Sequence, residues 1–161
     1  MQALGERLDG ANAPSVAVDD GHLKGLLPTK AEADHLVQIY LDSYDCIYHI
    51  IDRPSFQKAY IELWSDMASA PANMVAVLLL MMACSYCLSN TQPWLYSANN
   101  SVAREKSVIA IHACEDWISR QSYKHVTAEN FQIRCLLFLA KQVVSHKFKS
   151  CLLYTSDAAD E

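Results

Sequence analysis

The chain has 161 residues, 52% of them hydrophobic and 19% charged, which is the length and apolar content of one globular domain able to bury a core. Its 4 glycines and 5 prolines are too few for the many turns of a β-sandwich or barrel, so long helices with few breaks are expected. The formal charge of -5 is spread without a run of like charges, which argues against a nucleic-acid arm, and the longest apolar stretch, Met74 to Cys84, is well short of the roughly 20 residues that span a bilayer.

Residues 1 to 27 hold all four glycines, Gly5, Gly10, Gly21 and Gly25, together with Pro14, and read as a flexible leader or linker. Gly5, Glu6, Arg7, Asp9 and Gly10 interrupt the apolar run that a secretory signal needs, so the chain is expected to stay in the cytosol or nucleus. The first strong element opens at Leu27-Pro28-Thr29. Thr29 and Glu32 have the Thr-x-x-Glu spacing of a capping box, in which each side chain satisfies a backbone N–H of the first turn. Ala33, Leu36, Val37, Tyr40, Leu41 and Tyr44 then recur at the spacing of one helical face.

Ile47 to Ile51 has the β-branched character of an extended connector, and Pro54 disfavours helical geometry at Arg53 while suiting a first helical turn. A second helix is predicted from there to about Asp66, with Phe56, Tyr60, Leu63 and Trp64 as its buried stripe. A third runs from Pro71 to about Leu88. Being apolar all round, it should be enclosed by the others.

Asn90 to Ser101 reads as a loop, broken by Pro93 and the Asn99-Asn100 pair. Ser101 is placed to cap a fourth helix facing the core with Val102, Ile109, Ala113, Cys114 and Trp117, and Thr127 to cap a fifth with Ile133, Leu136, Leu137, Ala140, Val143 and Val144 on one face. Lys141, His146, Lys147 and Lys149 form a basic cluster. Near a helix C-terminus they would complement its dipole. The expected architecture is all-α, with stacked helical hairpins or an irregular bundle, incomplete at its C-terminal end.

The last eleven residues, Cys151 to Glu161, do not continue the helical pattern. They resemble a translated sequencing-library adapter and are set aside as a non-native tail. The tail carries Asp157, Asp160 and Glu161 and no Lys or Arg, so residues 1–150 hold 13 basic and 15 acidic side chains, a net charge of -2.

Six cysteines without an export signal point to reduced thiols, and Cys46, Cys84, Cys114 and Cys135 fall in apolar-patterned segments where a thiol packs as a small hydrophobe. Two pairings have the spacing for chemistry. Cys84 and Cys87 form a C-x-x-C without the preceding strand of a redox unit or the second pair of a zinc site, and Cys46 with His49 has the thiol–imidazole pairing of an activated nucleophile. Packing and a hydrogen-bonded structural histidine are the preferred readings. Glu115 and Asp116 are adjacent and so point apart on a helix, and no glycine follows Gly25 to let backbone approach a phosphate.

The order L-P-x-x-x-x-A-D-x-L-x-x-x-Y-L, then Y-H-I-I-D-R-P-S-F-x-x-x-Y, then an apolar helix, then F-Q-I-R-C-L-L-F-L-A-K-Q-V resembles the fungal-specific transcription factor domain, the middle homology region of zinc binuclear cluster regulators. The resemblance covers Leu27 to about Lys149, and its most specific pieces are Asp52 to Phe56 with Tyr60, and Thr127 to Lys141. It assigns residues 28–150 to the N-terminal part of that regulatory domain. It implies a non-catalytic nuclear fragment that modulates transcription through protein or intramolecular contacts, with no membrane partner. It also implies no catalytic, cofactor-binding, metal or DNA-binding residue in this chain, since zinc and DNA belong to a six-cysteine module outside it. Thr29 and Glu32 as a cap, Arg53 and Pro54 at a tight junction, and Phe56, Tyr60 and Trp64 as core anchors are the residues expected to matter. A stand-alone helical interaction module and a small thiol-dependent enzyme are the alternatives.

Overall fold

The computed structural model describes the backbone of residues 20–86, 88–89, 98–121 and 127–156, and the side chains of these except for 98–101 and 146–156. The described residues form helices and no strand: α1 (Asp20–Gly25), α2 (Lys30–Ser43), α3 (Asp45–Tyr48), α4 (Arg53–Ser65), α5 (Ala72–Ser85), α6 (Ala98–Arg120) and α7 (Ala128–Ser156). The expected helical bundle is what forms.

Helix α5 is the hub. Every residue from Met74 to Ser85 is buried, because α2, α6 and α7 pack around it and α1 and α4 cover what remains. A helix without a polar face is stable only when enclosed on all sides, and the others supply that enclosure with single stripes. Ala33, Leu36, Val37 and Tyr40 come from α2, and Ile133, Leu136, Leu139, Ala140 and Val144 from α7. Leu41, Tyr44, Leu137 and Val143 sit half-buried at the edges of those stripes.

Some sequence expectations need correction. The leader expected through residue 27 ends in a packed helix: α1 buries Leu23 completely, Trp117 Nε1 donates to Asp20 at 2.9 Å, and Lys24 Nζ donates to the Ala68 carbonyl at 2.7 Å. Residues 1–19 lie outside the described residues. The connector expected to be extended over Ile47 to Ile51 is helical at its start, where Ile47 and Tyr48 close the single-turn helix α3, because Tyr44 stays in the right-handed helical region and the chain turns on from α2; residues 49–51 are not helical.

Helix α6 begins at Ala98, inside the expected loop, and its buried face is the expected one in part: Ala113, Cys114 and Trp117 are buried as read from the sequence. Val102 and Ile109 are exposed, while Ser107, Ala110, Ile111, Cys114, Trp117 and Ile118 are buried. The hydroxyl of Ser107 donates to the carbonyls of Ala103 (3.0 Å) and Ala83 (3.1 Å), so a small polar residue occupies the seam with α5 that apolar counting gave to larger ones.

Helix α7 runs to Ser156, past the point where the apolar periodicity fades. Lys141 therefore lies mid-helix, bonded to Glu115 of α6 rather than to a C-terminal dipole. The side chains of His146, Lys147 and Lys149 lie outside the described residues. The aromatic stripe of α4 is only partly core: Phe56 and Leu63 are buried, whereas Tyr60 and Trp64 are half-exposed and continue a ring stack from Phe56 at 5.6 and 6.1 Å.

Two of the three expected caps form, whereas Ser101, expected to cap the fourth helix, falls inside α6 instead of ahead of it. Thr29 accepts the Glu32 N–H at 3.4 Å and Thr127 accepts the Asn130 N–H at 3.2 Å. The Glu32 side chain, however, does not reach back to Thr29. It pairs with Lys106 of α6 at 2.9 Å, so the box is half a box and its acid ties two helices instead.

Candidate functional site

The junction between α3 and α4 is built around one buried carboxylate. Asp45, 1% exposed, accepts the Ile51 N–H at 3.2 Å and Arg53 Nε at 2.8 Å, while Arg53 Nη2 donates to the Leu41 carbonyl at 2.8 Å. The chain reverses between them through His49, whose φ of 47° is left-handed. Histidine is among the side chains that tolerate that region. Pro54 then sits in the first turn of α4, where a missing N–H costs nothing, so Arg53 and Pro54 do form the tight junction expected of them.

This junction is docked onto α7. Gln132 Nε2 donates to the Ile50 carbonyl at 2.8 Å, and beside it the starts of α4, α5 and α7 enclose an open cleft of about 240 Å³. Phe56, Ala59, Met74 and Val77 form its apolar floor, with Pro71 at one side. Its rim is polar, made of Asp52, Ser55, Asn73, Glu129 and Gln132. Asn73 Nδ2 donates to Glu129 across the rim.

A second feature is the outer flank of α7. Phe131 and Phe138 are 64% and 66% exposed, and their spacing of seven places them on one line of the helix, with half-buried Cys135 between. Ile47 and Tyr48 of α3 are exposed as well. Sequence reading passed over both phenylalanines. Both lie on the side of the helix nearly opposite the Ile133–Leu136–Ala140–Val144 stripe, and an aromatic pair facing away from the buried stripe is the signal that was available.

Cys46 is exposed, contrary to the packing role expected of it, and its thiol donates to the carbonyls of Asp42 (3.3 Å) and Ser43 (3.4 Å); among the described residues no hydrogen bond joins it to His49. Cys84 is buried within α5, and Cys87 lies outside the described residues. Cys114 is buried against the Ala76 carbonyl, and burial pushes its thiol up to about 12, which keeps it protonated at neutral pH. Among the described residues no group of three or more His, Cys, Asp or Glu side chains is placed to hold a metal ion, and no helix is long and apolar enough to cross a membrane.

No protein-family model and no solved structure matches the chain. It is similar to "Transcription factor opdR" of Penicillium oxalicum (strain 114-2 / CGMCC 5302), at 29% identity over 117 residues, and to "Transcription factor asR3" of Sarocladium schorii, at 25% over 117 residues. Each match covers 72% of this chain but only 14% and 13% of the respective relative, so the chain spans about one seventh of their length. On these alignments the chain is a distant homologue of fungal transcription factors.

Proposed function

We propose that this chain is the leading portion of the regulatory middle region of a fungal-type transcription regulator, and that it acts in the nucleus by holding protein or intramolecular contacts rather than by catalysis. The observation that carries this reading is the homology over 117 residues to two fungal transcription factors. The helical architecture supports it, with an apolar hub sealed inside and aromatic side chains left on an outer helix. In this reading DNA contact and zinc belong to a module elsewhere in the parent protein.

The outer flank of α7 is the contact surface in this reading. Aromatic side chains are the common anchors of protein interfaces because they bury much area at little cost in side-chain freedom. Tethering the full chain to an unrelated DNA-binding module upstream of a reporter should change reporter output. Replacing Phe131 and Phe138 together by serine should remove most of that change without lowering the melting temperature, since neither ring is in the core. An output equal to that of the module alone would overturn the reading.

A further inference from the structure

The cleft between the starts of α4, α5 and α7 has an unbalanced set of polar groups. Among its donors, one N–H of Asn73 Nδ2 is committed to Glu129 and one of Gln132 Nε2 to the Ile50 carbonyl, which leaves the second N–H of each amide and the Ser55 hydroxyl, all uncharged. The Asn73 carbonyl oxygen is also used, accepting the Met74 N–H at 2.9 Å. The charge left on the rim is all negative: the Asp52 carboxylate, which caps no backbone N–H of α4 and has no partner among the described residues, and the second oxygen of Glu129, with the Gln132 carbonyl as a further acceptor.

Among the described residues no lysine, arginine or histidine lines the cleft. Arg53, next to Asp52 in the chain, is turned the other way, onto Asp45 and the Leu41 carbonyl. Among the described residues, two carboxylates therefore border a floor of Phe56, Ala59, Met74 and Val77 with no cation in the lining to answer them. An apolar floor with a few polar groups at its edge is the general pattern of a small-molecule site, and at about 240 Å³ this one falls below the usual range of about 300–1,000 Å³, which limits it to a small ligand.

We propose that the cleft binds a small primary ammonium carrying an apolar arm. The ammonium, with three donors and one positive charge, sits between Asp52 and Glu129, and the arm lies on the floor against Phe56 and Met74. Charge-assisted hydrogen bonds select the head group, and burial of the arm selects against free inorganic cations. This site stands on the geometry of the cleft alone, so it survives or fails independently of the regulatory reading.

Phenethylammonium titrated against the full chain, followed by calorimetry or by amide chemical shifts, tests it. Saturable binding with shifts at 52–59 and 129–132 is expected, with no comparable binding of phenylacetate, which has the opposite charge, or of 2-phenylethanol, which has none. Asp52→Asn should weaken binding about tenfold while leaving the helical circular-dichroism signal and melting temperature unchanged, because the carboxylate caps nothing. Ala59→Leu should abolish binding by filling the floor without touching charge. Absence of saturation, equal binding of phenylacetate or 2-phenylethanol, or unchanged affinity in Asp52→Asn would overturn the proposal. If Ala59→Leu fails to fold, the Asp52→Asn comparison and the two control ligands decide.

Discussion

The Asp45 carboxylate is buried and answered, by the Ile51 N–H and by Arg53 Nε, whereas the hydroxyl of Tyr40, equally buried, has no partner among the described residues. Burial first, and then the charges of Cys84 and Asp45, hold that hydroxyl protonated far above the usual phenol range. The two groups should respond to mutation in opposite ways. Arg53→Ala leaves a buried charge with one hydrogen bond. Breaking a fully buried pair costs about 3–5 kcal/mol, and the half-exposed guanidinium reduces this to about 1–3 kcal/mol in urea unfolding. Tyr40→Phe removes a desolvated hydroxyl that gains nothing in return, so the same measurement should show stability unchanged or raised by about 1 kcal/mol. The role of Arg53 was legible because Pro54 and the D-R-P-S-F run announce a junction. Asp45 was not, since nothing in Tyr44-Asp45-Cys46 separates a buried acceptor from a solvated acid; only its later encounter with Ile51 and Arg53 does.

Helices α2, α5 and α7 were readable because large apolar side chains fall at helical spacing on one face, or, in α5, on every face. Helix α6 was read only in part, for a physical reason. Where two helices approach closely, small residues occupy the seam, and Ser107 and Ala110 carry a weaker hydrophobic signal than the exposed Val102 and Ile109. Close approach implies intolerance of size. Ser107→Leu should destabilise by about 1–3 kcal/mol through overpacking against Ala83, seen as a lower urea midpoint, whereas Ile109→Ala at the surface should shift it by no more than about 0.5 kcal/mol. The short helices escaped for another reason. A single turn such as α3, or six residues such as α1, has too little length to show a period, and both are held by tertiary contacts rather than by propensity.

For the whole molecule, the buried ionisable groups set a pH limit on one side. Burial raises Cys114 from 9.0 to about 12 and, with the charge of Glu32 adding to it, Tyr86 from 10.0 to about 12. Both are folded as neutral acids, so the unfolded chain releases protons first as pH rises. Their contribution is fully present below pH 9 and is lost progressively between 9 and 12, and the melting temperature should fall across that window. Cys114→Ala should flatten part of the decline, although it lowers the plateau by leaving a small void. At neutral pH the exposed pair Phe131 and Phe138 should make the chain self-associate at high concentration, measured by sedimentation velocity, and the double serine variant should suppress it. A concentration-independent species would count against the flank as a sticky surface.

Helix α5 is buried from Met74 to Ser85, and apart from Met74 and Val77 at the floor of the cleft it offers nothing for a binding partner to read. Variants that map there should lose helical signal and regulatory output together. Variants on the outer line of α7 or at the rim of the cleft should uncouple the two, keeping the fold while silencing the response. A panel of substitutions scored on both quantities would thereby sort scaffold from contact surface even while the partner is unidentified.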